Sequence, residues 1–245
     1  MFGTYKEAKT FEEIIDLLKN KSIAYYDSEF IRVKHSNNEI FYLIQIGITN
    51  QKSKLEMKVK HNVKIPVREQ ILLGISREGY SQNGESFENV YNSLAGWIKL
   101  NDIDYIVAFS YGEDIEIFKK ECDKNNINYP YFLNKFIDVS KLIKAKYGIN
   151  DISLKNLCLV LGVDEDFRFM KKSHEALADA INTGLLCEYF IKNLDNPIYT
   201  KDYIEGFIFA VSKYNNSQEI SLKQVKQKDL YKIQHAKYNF NAGKN

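Results

Sequence analysis

Apolar positions along the chain change period several times, and each change marks an element. Phe11, Ile14, Ile15 and Leu18 recur at helical spacing, and Thr10 and Glu13 stand at the spacing of a capping box, so an amphipathic helix opens the chain. Three strand-like runs follow, over residues 23–30, 40–49 and a more polar 54–60, separated by a turn-rich 35–38 and a short 50–53. Connections this short predict an antiparallel meander. After the Gly84-Glu85-Ser86 turn, Val90, Leu94, Trp97 and Ile98 make one apolar face of a helix over 87–100, and residues 105–109 read as a buried strand. The pattern then alternates: a helix over 114–125, a strand over 135–139, helices over 142–147 and, behind a Ser153 cap, over 154–161. A long helix over 174–194 carries Ala176, Ala180, Leu185, Phe190 and Leu194 among its apolar positions. Antiparallel strands first and crossovers later predict an α/β fold, a mixed sheet flanked by helices. Past Pro197, Tyr203, Ile204, Phe207, Ile208 and Val211 fit one more amphipathic helix, and the remainder is rich in Lys and Gln.

Composition narrows the class. The 245 residues are 44% apolar, 13% aromatic and 27% charged, which suits one soluble globular domain with an appendage and excludes disordered, fibrous and mucin-like chains. The expected division is a domain over 1–195 and a C-terminal extension over 196–245, helical or partly disordered. No run approaches the roughly 18–20 apolar residues that cross a bilayer, and residues 1–10 lack the apolar core of a signal peptide, so no membrane association and a cytoplasmic location are expected. Cys122, Cys158 and Cys187 are widely separated, with no His at zinc spacing, and read as buried thiols. The net charge of +2 is unevenly spread: residues 1–195 hold 26 Lys and Arg against 28 acids, and 196–245 hold 8 Lys against 4 acids. A basic extension can meet nucleic acid, an acidic surface or a protein partner, and it can equally be a solvated segment.

Four carboxylates and one histidine carry the candidate chemistry. Asp27 and Glu29 stand two apart in an otherwise apolar and aromatic strand, which puts both on one face, where two like charges are costly without a cation between them. The pattern alone also fits a surface pair, since it recurs at Asp114 and Glu116. Asp114 follows the strand ending at Phe109, where a helix N-terminus favours a carboxylate for structural reasons as well. His174 and Asp179 stand five apart at a helix entry. Two helical residues at that spacing lie about 140° apart, so a shared site needs His174 on the loop side of the helix start.

Taken in order, these residues resemble the DEDDh 3′-to-5′ exonucleases of the ribonuclease-H-like superfamily, the DnaQ-like enzymes, over residues 22–190. Asp27-Ser28-Glu29-Phe30 is similar to the first motif, and Ile44-Gln45-Ile46-Gly47 to the strand after it. Leu72-Leu73-Gly74-Ile75 resembles the L-T-G-I segment. Ser110-Tyr111-Gly112-Glu113-Asp114 resembles the second motif of the KapD-like branch, as does Ser153-Leu154-Lys155-Asn156-Leu157 with Leu161-Gly162. His174-Glu175-Ala176-Leu177-Ala178-Asp179-Ala180, continued by Asn182 and Thr183, is similar to H-x-A-L-x-D-A. Tyr111 departs from the usual Trp, Leu73 from Thr, and Glu175 from the Arg of many relatives.

The resemblance implies a ribonuclease-H-like mixed five-stranded sheet, three antiparallel strands and then parallel ones, flanked by helices. It implies metal-dependent hydrolysis from the 3′ ends of single-stranded RNA or DNA to nucleoside 5′-monophosphates. Asp27, Glu29, Asp114 and Asp179 are the implied ligands of two Mg²⁺ ions, with Mn²⁺ as a substitute, roughly 3.5–4 Å apart, a pairing that balances about four negative charges. All-oxygen donors favour these ions over zinc. His174 is the implied general base, near its unperturbed pKa of about 6.5. Ser28, Phe30, Leu73 and Ile75 are the implied substrate contacts, and core or loop packing is the alternative for each. A different class of function also fits, a catalytically weak nucleic-acid-binding or regulatory protein on the same fold.

Overall fold

The computed structural model describes residues 10–35, 38–73, 84–147, 153–161, 163 and 175–193. The expected C-terminal extension over 196–245 lies outside them. Helix α1 (Phe11–Asn20) starts at the Thr10 capping box, with the Thr10 hydroxyl accepting from the Glu13 backbone N–H and the Glu13 carboxylate accepting from that of Thr10 at 2.7 Å. Strands β1 (Ile23–His35), β2 (Asn38–Thr49) and β3 (Lys54–Lys58) form an antiparallel meander. Helices α2 (Val67–Leu73) and α3 (Phe87–Leu100) precede β4 (Tyr105–Ala108) and α4 (Gly112–Lys124). A 3₁₀ turn (Tyr131–Lys135), β5 (Phe136–Asp138), α5 (Val139–Tyr147), α6 (Leu154–Leu161) and α7 (Ala176–Lys192) complete the order.

The sheet runs β3-β2-β1-β4-β5, with β1 parallel to β4 and β4 parallel to β5. This is the mixed sheet that the alternating pattern predicted, in the five-stranded, ribonuclease-H-like arrangement that the resemblance implied. Period-two side chains split its core between two faces. Tyr25 and Val107 point to the layer of α1, α5, α6 and α7, and Ala24, Tyr26, Ile46, Ile48, Ile106 and Ala108 point to α3 and α4.

Three local differences from the sequence pattern have physical reasons. β1 extends past Phe30 to His35 because β2 pairs with it residue by residue to the hairpin at His35 and Asn38. α2 was not expected: it is seven residues with Arg68, Glu69 and Gln70 among them, and its helicity comes from lying on β1 and β2, where Ile65 and Leu73 join Ile31 and Ile44 in a small third cluster. α7 begins at Ala176 rather than 174, because Glu175 is extended at φ −109° and ψ 117°. Among the described residues no helix is long and apolar enough to cross a membrane.

One close contact sets the position of α7. A Cβ built on Gly47 in β2 would lie 2.2 Å from the Leu177 backbone nitrogen and 2.4 Å from the Ala176 carbonyl carbon. The first turn of α7 therefore rests on bare sheet backbone, a distance only glycine permits. Two helical turns further the same economy recurs, where a Cβ at Gly184 would meet the Tyr25 ring at 2.9 Å.

Because the atoms facing Gly47 are backbone, no rotamer change can make room. Gly47→Ala is expected to cost about 1–3 kcal/mol of stability, the range for overpacking. Urea unfolding of the two proteins side by side measures this, and an unchanged midpoint would contradict the contact.

Candidate active site

β1 outruns its parallel neighbour. The β1–β4 pairing ends at Tyr26 and Ala108, while β1 continues through Asp27 and Glu29 with β2 alone beside it. Beyond Ala108 β4 ends and leaves this edge of β1 unpaired, so the site lies at the carboxyl end of a central parallel strand, the place where open α/β sheets put their ligands. Asp27 lies across from Gly47 and Glu29 across from Gln45, so both carboxylates stand on the face that α7 covers. Because α7 sits down on Gly47, Asp179 in its first turn reaches the same spot, and carboxylate oxygens of Asp27, Glu29 and Asp179 lie within 4.8 Å of one another.

Asp114 arrives from the opposite side of the sheet. Its Oδ1 accepts a 2.5 Å hydrogen bond from the buried Ser28 hydroxyl, which projects from β1 on the face away from Asp27 and Glu29. Asp114 nevertheless lies in the electrostatic field of both. The turn into α4 is held from β5. Ser110 has the left-handed φ of 65°, and its N–H donates to Asp138 Oδ1 at 3.2 Å. The same oxygen accepts from the Ser140 N–H at 3.0 Å and the Ser140 hydroxyl at 2.6 Å, and the Ser140 and Ser110 hydroxyls are 2.9 Å apart. Asp138 was missed in the sequence, although an Asp between an apolar strand and a helix, followed two residues later by Ser, is a recognisable cap.

On α7, the Asn182 amide donates to Asp179 Oδ1 at 3.3 Å, and the Thr183 hydroxyl donates to the Asp179 carbonyl at 2.9 Å. Asn182 is fully buried and, among the described residues, its Oδ1 has no hydrogen-bond partner, so the amide is oriented by the carboxylate it serves.

Burial and mutual repulsion push these acids toward their neutral forms. Asp27 is held well above the ordinary carboxylate range, first by burial and then by Asp114, Asp179 and Glu29. Glu29 is pushed up to about 8 by burial, with Asp179 and Asp114 adding to it. Asp114 rises to about 6 through burial, with Glu113 and Asp138 adding to it and the Ser28 hydroxyl opposing it. Carboxylates this close and this dry fit a divalent cation, whose charge removes the repulsion and whose hardness suits oxygen donors.

The remaining expected contacts fall in different places. Phe30 lies on the α4 side of the sheet, its ring packed edge-on against Phe41 at 5.9 Å. Leu73 is buried with Ile31, Ile44 and Ile65 at the end of the acidic face beyond Glu29. Between the two, the β1–β2 register slips: the consecutive Glu29 and Phe30 face Gln45 and Leu43, so Ile44 is the extra residue and β2 carries the bulge at the edge of the site. His174 and Ile75 lie outside the described residues.

Comparison with known proteins adds three findings. A family model described as exonuclease, of the RNase T type, matches residues 25–187, which contain all four carboxylates and His174. No curated protein matches the sequence. Several solved structures share the fold. The nuclease domain of 3′hExo, a DEDDh family member bound to rAMP, is 18% identical with a TM-score of 0.58, covering 72% of this chain and 94% of its own. S. pombe Pop2p in a Mg²⁺- and Mn²⁺-bound form is 15% identical with a TM-score of 0.52, covering 76% and 87%. E. coli exonuclease I with a dA16 oligonucleotide is 14% identical with a TM-score of 0.52, covering 79% and 45%.

The acidic cluster makes a sharp demand on pH. A carboxyl whose folded pKa lies above its unfolded one keeps its proton longer in the folded state. The metal-free fold therefore loses stability as pH rises from the ordinary carboxylate values of 3.8 to 4.5 toward the Glu29 value of about 8. Glu29→Gln removes one repelling charge, so at pH 8 in chelator it is expected to melt at least about 2 °C higher than the parent chain. That gain should vanish near pH 4, and the added stability that Mg²⁺ gives the parent should shrink in the variant. A variant melting at or below the parent in chelator at pH 8 would contradict the repulsion.

Proposed function

Since the chain belongs to the exonuclease family of the DEDDh, DnaQ-like kind, we propose that it hydrolyses single-stranded RNA or DNA from the 3′ end, releasing nucleoside 5′-monophosphates with two Mg²⁺ ions, or Mn²⁺ in their place. The observation that carries this reading is the meeting of Asp27, Glu29 and Asp179 within 4.8 Å, with Asp114 in the same field. The rAMP in 3′hExo, the oligonucleotide in exonuclease I and the Mg²⁺ and Mn²⁺ in Pop2p support the substrate and cofactor classes.

In this reading each residue has a separate task. Asp27, at the centre of the cluster, would be shared by both cations. Glu29 and Asp179 would complete one site and Asp114 the other, partly through water. When bound, such a pair lowers the pKa of the attacking water and offsets the charge on the leaving 3′ oxygen. Ser28 fixes the Asp114 carboxylate by its hydroxyl, and Asn182 fixes that of Asp179. His174 would accept the proton of the attacking water, a task suited to an imidazole at neutral pH. Leu73, Ile75 and the Ser28–Phe30 stretch of β1 would border the terminal nucleotide, where apolar walls tolerate any base.

The test uses matched 5′-labelled single-stranded RNA and DNA in Mg²⁺, in Mn²⁺ and in chelator. The expected result is a metal-dependent ladder shortening from the 3′ end, with the rate reduced at least about a thousandfold in Asp27→Asn. Intact oligomers in every metal condition, from folded protein, would overturn the catalytic reading in favour of a nucleic-acid-binding protein.

A further inference from the structure

We propose that Gln45 reads the sugar of the strand's last nucleotide, its side-chain amide hydrogen-bonding a ribose hydroxyl beside Glu29. This rests on the exonuclease reading and deepens it, because a residue that reads the sugar bears on the choice between RNA and DNA. The placement follows from strand register. A Cβ on Gly47 would point at the start of α7, and the paired neighbours of Gly47 are Asp27 in β1 and Glu56 in β3. All three positions therefore share the acidic face. The Gln45 amide donates to Glu56 Oε1 at 2.5 Å, which puts the glutamine on that face too, directly across the β1–β2 pair from Glu29. Residues paired in this way have Cβ atoms about 4.5–5.5 Å apart. Gln45 is only 7% exposed, so a neutral amide is buried beside a candidate metal ligand and held from the β3 side by Glu56.

Along β1 this face has the order of a nucleotide. Its successive positions are roughly 6–7 Å apart. The first, Asp27 beside Gly47, lies in the acidic cluster, where the cations and the scissile phosphate would sit. The third, Ile31, belongs with Ile44, Ile65 and Leu73 to the apolar cluster that in this reading borders the base. The second is the pair of Glu29 and Gln45, and between its phosphate and its base a nucleotide carries its sugar. The chemistry of an amide agrees with that station. Besides the N–H given to Glu56, the group has a second N–H and a carbonyl oxygen. A sugar hydroxyl both donates and accepts, so it can meet either one, whereas a phosphate only accepts and is better met by a cation.

The test compares three ends on one strand sequence: a terminal ribose, a 2′-deoxyribose and a 3′-deoxyribose. Each strand is 5′-labelled, and removal of the last nucleotide by the full-length chain is followed in Mg²⁺. The parent is expected to act on the ribose end about five- to tenfold faster, in kcat/KM, than on the end lacking the bonded hydroxyl, the worth of one neutral hydrogen bond. Which of the two deoxy ends falls behind identifies the hydroxyl. Gln45→Met should bring that ratio close to one. Glu56→Ala, a change at an exposed residue, releases the amide and should lower the same ratio, so the test stands even if the buried substitution does not fold. A ratio that persists undiminished in the variants would overturn the inference. So would a loss of rate shared equally by all three ends, which would leave Gln45 as a tie between β2 and β3. A parent that degrades all three ends at one rate would overturn the inference alone. A parent that degrades none of them would remove the exonuclease reading and the inference together.

Discussion

The seating of α7 on the bare backbone of Gly47 is the constraint from which the site follows. Asp27 and Glu29 are fixed by the period of β1 and need no help to share a face. They become a cluster only when a third carboxylate is lowered onto them, and a helix carried on ordinary side chains would hold Asp179 farther from the sheet. Here the glycine lets the Ala176–Leu177 backbone approach until an added Cβ would stand 2.2 Å away. The same helix contributes Leu186, Cys187 and Phe190 to the core layer with α1 and α6. Hydrophobic burial of the helix thus holds the acids together against their repulsion.

That repulsion is substantial, and the support around the acids is correspondingly specific. Each carboxylate outside β1 has a neutral hydrogen-bond donor of its own: Ser28 for Asp114 and Asn182 for Asp179. Neutral donors fix orientation without cancelling charge, so the demand for a cation survives the folding of the site. A lysine or arginine in either place would have satisfied the acids within the chain and removed the reason to bind metal.

Much of this was legible in the sequence. The alternation of β1 put Asp27 and Glu29 on one face, and the Thr10–Glu13 box, the meander and the later crossovers appeared where their patterns lay. Contacts between distant residues were harder to read. Gly47 and Leu177 stand 130 positions apart, and a glycine in an apolar strand reads locally as a weak point rather than a seat for a helix. α2 is short and half polar, so its helicity depends on the surface beneath it. The face of Ile44 depends on where the β1–β2 register slips, and Asp138 gains its importance from Ser110, 28 residues earlier.

The four carboxylates are also held with unequal stiffness, and this bears on how the two halves of the site divide their work. Asp27 and Glu29 belong to a strand paired along its length, and Asp179 to a 17-residue helix pinned at Gly47 and Gly184. Asp114 hangs from a turn whose left-handed Ser110 is kept in place by hydrogen bonds to Asp138 and Ser140. A conformation of that kind persists only while its surroundings hold it. The half of the site built from Asp27, Glu29 and Asp179 is therefore rigid by construction. The half that includes Asp114 is rigid through a network that reaches across β4 to β5. A cation shared by Asp27 and Asp114 would tie the two halves together across the edge of the sheet, so metal binding and the order of the 110–114 turn should be thermodynamically linked.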